Sequence, residues 1–449
     1  MKTGELKNKK ILILGFGREG QSSLRYLRKY YPKQLIGVAD QNTLAQFGPT
    51  ERNWLKKDKN LVLNLGQNYL KNLEQFEVII KTSGIKLPDK LTKKLAQQGT
   101  WVTTNLNIFL ANLQGRVVGV TGTKGKSTTA SLIYEILKQA GKKTVLVGNI
   151  GKPFLDYINK DSKQTIFVAE LSSYQLDTLT EKLDMAVMTS FYPEHLNYHG
   201  SLTNYFQAKM NIVRHLKKGG AVVYNQNFKR VADFIKKQSA TKAIGYPSLS
   251  LRGGSLLRGD VAISHLLGEH NQQNIAGAMA VAKYWKIGDA DIKKALAKFQ
   301  SLEHRLELVG KFHGINFYND VLSTTPESTL AAVKTLRDKN LQTLIVGGFD
   351  RGLNYANLAR EIKKAKIRTV ICWPHTGETM ARELRRIKTA AKIIPVKNMR
   401  QTVAAAFKYT KPGEAVALSP AASSYDFYSD YREKGKEYKK LIKENKKII

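Results

Sequence analysis

Apolar runs of strand length alternate with helical segments from one end of the chain to the other. The runs cover residues 11–14, 35–39, 78–80, 117–120, 144–147, 166–169, 185–189, 221–224, 343–346, 369–371 and 415–418. Alternation of this kind predicts an α/β chain, with parallel sheets carrying helices on both faces. At 449 residues the chain is long enough for three domains of ~150 residues each. Breaks in the pattern fall near residues 112–115, before a fresh strand and a glycine loop, and near 300–304. The expected domains are therefore 1–112, 113–301 and 302–449.

Composition narrows the class. Hydrophobic residues make up 42% and charged residues 24%, which excludes a disordered chain. Cys372 is the only cysteine, so a disulfide framework and a cysteine-rich zinc site are both excluded. Residues 1–10 are polar and basic and lead straight into the first strand. No stretch approaches ~18 apolar residues, so neither a signal peptide nor a membrane span is expected, and the predicted compartment is the cytoplasm. Cys372 and His375 flank Trp373-Pro374, a pattern read as packing and turn chemistry. The net charge of +37, from 73 Lys+Arg against 36 Asp+Glu, invites a nucleic-acid reading. The lysines are scattered rather than gathered into an arm or patch, so no nucleic-acid partner is expected.

The first strand runs into Gly15-Phe16-Gly17-Arg18-Glu19-Gly20, and Asp40 ends the next strand. Gly-x-Gly-x-x-Gly between a strand and a helix, with an acid 20 residues on, is the spacing of a dinucleotide-binding unit. Alone the turn suits NAD, another nucleotide-linked ligand, or close packing. Ser83 and Gly84, after the strand at 78–80, belong at the same sheet edge.

The strand at 117–120 leads into Thr121-Gly122-Thr123-Lys124-Gly125-Lys126-Ser127-Thr128. A strand, a glycine loop, Lys-Ser and a helix make a phosphate cradle, because backbone N–H groups and the helix dipole hold anionic oxygens. Lys126 is placed to reach the β- and γ-phosphates and Ser127 to ligate Mg²⁺. The common Gly-x-x-x-x-Gly-Lys pattern would need glycine where Val120 stands, so the match is to Thr-Gly-Thr-x-Gly-Lys-Ser. Glu170, at the end of the strand at 166–169, is a natural Mg²⁺ ligand beside such a loop. His195 and Lys209 taken singly read as a loop histidine and a solvated lysine.

Taken in order, the segments Thr121 to Thr128, Glu170-Leu-Ser-Ser-Tyr-Gln, Glu194-His195, Tyr205-x-x-Ala-Lys209, Gly268-Glu-His-Asn271-x-x-Asn274, His304-Arg305-x-Glu307 and Asn319-Asp320 resemble the Mur ligases. These are ATP-dependent amide ligases of peptidoglycan precursor synthesis. The glycine turn, Gly148-Asn149-Ile150-Gly151 and the ending from Leu418 to Asp426, with Gly435 close behind, are most similar to the branch that adds glutamate to UDP-N-acetylmuramoyl-L-alanine. The resemblance covers essentially the whole chain. It implies a Rossmann-like N-terminal domain, a central P-loop ATPase-like domain with a parallel sheet, and a Rossmann-like C-terminal domain, acting as a monomer.

The resemblance also implies roles. Gly15, Phe16, Gly17, Arg18, Asp40, Ser83, Gly84 and Asn149 would contact the UDP-sugar. Gly122, Thr123, Lys124, Gly125, Lys126, Ser127, Thr128, Asn271, Asn274, Arg305 and Asp320 would contact ATP. Ser127 and Glu170 would hold one Mg²⁺. His195 and a carbamylated Lys209 would hold a second. Lys126, Glu170, His195 and Lys209 would be the catalytic set. Thr324, Arg351, Ser424 and Tyr431 would bind glutamate. There the chain departs from the family: Leu322 replaces a lysine, Arg351 stands for another, and Tyr431 replaces phenylalanine. D-glutamate is expected as the commoner activity of the branch, and because these changes fall on the glutamate site and resemble a variant branch, L-glutamate is the alternative. An NAD-dependent oxidoreductase would leave the phosphate loop, Glu170 and His304-Arg305 without a purpose. A decayed, non-catalytic ligase is opposed by the retained Lys126, Ser127, Glu170, His195 and Lys209.

Overall fold

Three separate sheets organise the chain in the computed structural model, which describes residues 1–238, 241–247, 269–425, 427–428 and 430–445. The first holds β1 (Ile11–Leu14), β2 (Ile36–Asp40), β3 (Leu61–Leu65), β4 (Val78–Lys81) and β5 (Trp101–Thr104). Its order is β3-β2-β1-β4-β5, with every pair parallel. The order reverses between β1 and β4, so the loops leaving those two strands face each other across a crevice, the usual place for a ligand in such a sheet. Those loops are the glycine turn and the segment 82–85.

The second sheet holds β6 (Arg116–Thr121), β7 (Thr144–Gly148), β8 (Ile166–Glu170), β9 (Leu183–Met188), β10 (Leu216–Asn225) and β11 (Lys242–Tyr246). Its order is β11-β10-β9-β6-β8-β7, again all parallel. β6 is central and almost wholly buried, and its C-terminal end delivers the phosphate loop to the helix Lys126–Gln139. One apolar core continues through both sheets, from Ile11, Phe16 and Leu27 to Phe167, Met188 and Ile212. Accordingly the first two sheets lie in one compact unit, and a second unit takes up the chain from Gln300.

The second unit contains β12 (Glu307–Phe312), β13 (Ile315–Asn319), β14 (Leu341–Gly348), β15 (Thr369–His375), β16 (Lys392–Pro395) and β17 (Ala415–Leu418), in the order β12-β13-β17-β14-β15-β16. All neighbours are parallel except β12 and β13, which form an antiparallel hairpin. His313 and Gly314 at its tip have φ of 48° and 78°. Two successive positive φ values give the mirror-image turn that matches strand twist. Cys372 and Trp373 are buried in β15, and the turn at His375 leads into the helix Thr376–Arg386.

Candidate functional site

In the first unit, Gly15 has a φ of 92°, and a Cβ at Gly20 would overlap the Gly15 carbonyl oxygen. The turn therefore packs on the start of the helix Arg18–Tyr30, and only glycine fits at both points. Gly17, in contrast, has open space where a side chain would go. The Phe16 ring is fully buried against Phe47 and Trp54, so this side chain belongs to the core. The Asp40 carboxylate accepts the Phe16 N–H at 2.6 Å and the Asn42 N–H at 2.8 Å. It thus shapes the turn.

The phosphate loop is built just as tightly. Gly122 and Gly125 have φ of 152° and 87°. A Cβ on Gly122 would strike the Thr189 hydroxyl, and one on Gly125 would strike the Asn274 side chain. Asn274 is held in turn, its Nδ2 donating to Asn271 Oδ1 at 3.0 Å and its Oδ1 accepting from Thr129 at 3.3 Å. Lys126 Nζ curls back onto the Gly122 and Thr123 carbonyls at 3.1 and 2.9 Å. The Thr128 hydroxyl is buried without a hydrogen-bond partner. Glu170 is buried at the end of β8, and no hydrogen bond or ion pair engages its carboxylate among the described residues. A buried carboxylate without a protein cation, close to an anion cradle, suits a divalent cation. No three His, Cys, Asp or Glu side chains cluster as a metal cage among the described residues. A cation here would depend on a phosphorylated ligand for the rest of its shell.

Lys209, on the helix Leu202–Arg214, is 1% exposed. Its Nζ donates to Gly122 O at 2.8 Å and lies 4.8 Å from the centre of the Tyr205 ring. Burial, followed by the nearby Lys126 charge, holds its pKa well below the usual lysine range. His195 begins a short helix with a φ of 56° and lies 3.8 Å from Glu194. Burial lowers its pKa more than the Glu194 charge raises it, so the ring is neutral near pH 7 and able to ligate a metal. Glu194 in turn pairs with Lys124 at 2.7 Å.

These residues converge. A cavity of about 490 Å³ is lined by Lys126, His195 and Lys209 from around the second sheet and by Gly17, Arg18, Ser83 and Gly84 from around the first. Asn149 also lines it, and its N–H donates to the Glu170 carbonyl at 3.2 Å. Glu19 and Gln175 line it too. Sequence reasoning passed over both, treating Glu19 as a spacer inside the glycine motif and Gln175 as part of a match string.

The second unit holds its own set. Asp320 is buried, accepting from Leu306 N–H at 3.1 Å and from the Ser419 hydroxyl at 2.8 Å. Burial outweighs these bonds and raises its pKa to about 6. The neighbouring Arg305 charge acts on Asp320 in the opposite direction. His304 Nδ1 accepts from Asn319 at 2.9 Å, and its buried Nε2 has no hydrogen-bond partner. A Cβ on Gly435 would overlap the His304 ring, which explains glycine in the helix Tyr431–Asn445. Arg351 donates to the Thr324 carbonyl, Tyr431 meets His304 edge-on at 5.9 Å, and the Ser424 hydroxyl is buried without a partner. Gly268, Asp426 and the side chains of Glu269 and His270 lie outside the described residues.

Comparison with known proteins finds relatives along nearly the whole chain. A family model for the Mur ligase middle domain matches residues 120–282. A second, for the Mur ligase glutamate ligase domain, matches residues 304–422. The UDP-N-acetylmuramoylalanine–D-glutamate ligase of Acetivibrio thermocellus is 30% identical over 466 residues, covering 98% of this chain and 97% of that protein. Its counterpart from Streptococcus mutans is 30% identical over 446 residues, 96% of each chain. Among solved structures, UDP-N-acetylmuramate-alanine ligase from Thermotoga maritima shares the fold at a TM-score of 0.61 and 16% identity, covering 98% of this chain and 100% of that one. The MurF ligase of Thermotoga maritima, in complex with ADP, matches at 0.58 and 15% identity, over 98% and 97%.

Proposed function

The chain belongs to the Mur ligase family, and from that membership we propose that it joins D-glutamate to UDP-N-acetylmuramoyl-L-alanine with conversion of ATP to ADP, in peptidoglycan precursor synthesis. The observation that carries this reading is the convergence of Lys126, His195 and Lys209 with the Gly17 turn and the Ser83-Gly84 loop on one cavity. Residues 1–112 would hold the uridine nucleotide, 113–301 ATP, and 302–449 glutamate. One sheet in each range supports that division. Asn271, Asn274, Arg305 and Asp320 are assigned to ATP, and Thr324, Arg351, Ser424 and Tyr431 to glutamate. A bidentate arginine at 351 suits a carboxylate well.

In the proposed reaction the alanine carboxylate attacks the γ-phosphate, ADP leaves, and an acyl phosphate forms. The glutamate amine then attacks the acyl carbon and phosphate departs. The chain supplies no nucleophile. Lys126 and the loop N–H groups neutralise the charge of the transferring phosphate, and the cavity positions the two ends. Magnesium, when bound with the nucleotide, adds further charge neutralisation. Ser127 and Glu170 would hold it at one site, and His195 with Lys209 at a second. For Lys209 this requires carbamylation, which replaces an ammonium with an anionic oxygen donor. The buried, pKa-lowered amine supports it, because only the neutral form reacts with carbon dioxide. We place the enzyme in the cytoplasm as a monomer. No helix among the described residues is long and apolar enough to cross a membrane.

The test is direct. Purified protein receives ATP, Mg²⁺, UDP-N-acetylmuramoyl-L-alanine and either glutamate isomer, and ADP and product mass are followed. ADP release with D-glutamate is expected. No release with either isomer contradicts the ligase assignment, and release with L-glutamate alone overturns the stereochemistry. Lys209→Ala should lower kcat by about 100-fold or more, with partial rescue by added short carboxylates. Full activity in that variant contradicts the carbamate.

A further inference from the structure

Glu19 sits inside the glycine motif at the start of a helix, and its carboxylate collects three hydrogen bonds. Oε2 accepts the Ser83 N–H at 2.9 Å and the Ser83 hydroxyl at 2.6 Å. Oε1 accepts from Gln175 Nε2 at 2.8 Å. Gln175 is locked in orientation, because its Oε1 accepts the Ser172 N–H at 2.9 Å and the Ser172 hydroxyl at 3.2 Å. The side-chain polarity therefore runs one way, from Ser172 through the Gln175 amide to Glu19, while the Gln175 N–H closes a capping box on the Ser172 hydroxyl at 3.2 Å. The far side of the 82–85 turn is held by the opposite charge: buried Lys81 donates Nζ to Ile85 O at 2.6 Å and to Thr82 O at 3.3 Å.

We propose that Glu19 is a positioning residue, which locks the 82–85 loop to the segment following Glu170 through Gln175 and Ser172. The proposal rests on the ligase reading only for what is positioned: the UDP-linked substrate against the phosphate loop. Ser83 then acts differently from a simple ligand contact. Both of its polar hydrogens are committed to Glu19, so toward a ligand Ser83 can only accept a hydrogen bond. Polarity is essential to the device. Glutamine at 19 would set an NH₂ against the Gln175 NH₂, and turning Gln175 over would set an NH₂ against the Ser172 N–H.

A reciprocal exchange tests this. Glu19→Gln and Gln175→Glu each break one polarity match, the first by opposing two donors and the second by opposing two carboxylates. Together they restore it, because the carboxylate now at position 175 accepts from Ser172 and from the amide now at position 19. Each single variant should raise KM for the UDP-linked substrate about tenfold, with KM for ATP and kcat within about threefold of wild type. The double variant should return to within about threefold. Amide exchange over residues 82–85 supplies a readout that needs no turnover: faster in each single variant, restored in the double. Single variants that match wild type in both readouts, or a double variant that adds the two losses, would overturn the proposal. Restored exchange in a protein that shows no ligase activity would leave the positioning intact and defeat the ligase reading instead.

Discussion

At the scale of single residues, burial decides which ionisable groups differ from their ordinary chemistry. Lys209 and Asp320 are both enclosed, and in each case loss of water outweighs the nearest partners. For Asp320 the consequence reaches stability. Its carboxyl is raised from 3.8 to about 6, so the folded chain binds this proton more tightly than the unfolded chain does. That contribution is complete below pH ~4, is lost as pH rises toward 6, and stays lost above. Asp320→Asn has no proton to lose, and its amide can still pair with Leu306 N–H and the Ser419 oxygen. The stability of wild type relative to this variant should fall by about 2 kcal/mol between pH 4 and 6. Urea midpoints of the two proteins across that range check it, and parallel pH curves contradict it. The glutamate-site departures also belong at this scale. Leu322 removes a cation, and Arg351, linked to the Thr324 carbonyl, remains as a guanidinium among the residues assigned to glutamate.

Among elements, the glycine turn separates packing from binding. Gly20 meets the Gly15 carbonyl oxygen, whereas nothing lies within 4 Å of a Cβ on Gly17. Gly20→Ala should therefore cost about 3 kcal/mol of stability, because backbone must move to admit the methyl group. Gly17→Ala should leave stability within about 0.5 kcal/mol of wild type and raise KM for the UDP-linked substrate, since Gly17 lines the cavity. Denaturant midpoints with steady-state kinetics distinguish the two, and equal loss of stability would contradict the packing account. The same physics explains what could be read from the sequence. Central strands such as β1, β6, β8 and β17 are buried at nearly every position and stand out as unbroken apolar runs. Several edge strands do not: β3, β5 and β16 are partly exposed, with Val62 and Trp101 facing solvent, so their pattern is weak. The β12–β13 hairpin escaped because a parallel expectation does not look for a His-Gly turn. Residues of the phosphate loop were legible because their spacing is itself the chemistry. Glu19 and Gln175 were not, because their role lies in a hydrogen-bond direction that spacing does not encode.

For the whole molecule the dominant fact is a net charge of +37. The proposed ligands are polyanions, but only a few cations such as Lys126 and Arg351 are assigned to them. The remaining excess repels itself across the surface. Raising ionic strength from about 0.02 to 0.5 M should therefore raise the thermal midpoint and, by screening capture, raise KM for the UDP-linked substrate. A midpoint indifferent to salt would show that the charges are already locally compensated. The chain forms two compact units, one carrying residues 121–128 and one carrying Asp320 and Arg351. The central claim is that the carboxylate is activated by direct phosphoryl transfer. It is tested by supplying UDP-N-acetylmuramoyl-L-alanine labelled with ¹⁸O in its alanine carboxylate and weighing the phosphate released during ligation. An acyl phosphate carries one labelled oxygen into each phosphate, and that transfer is the predicted result. Product formation with unlabelled phosphate would contradict the mechanism.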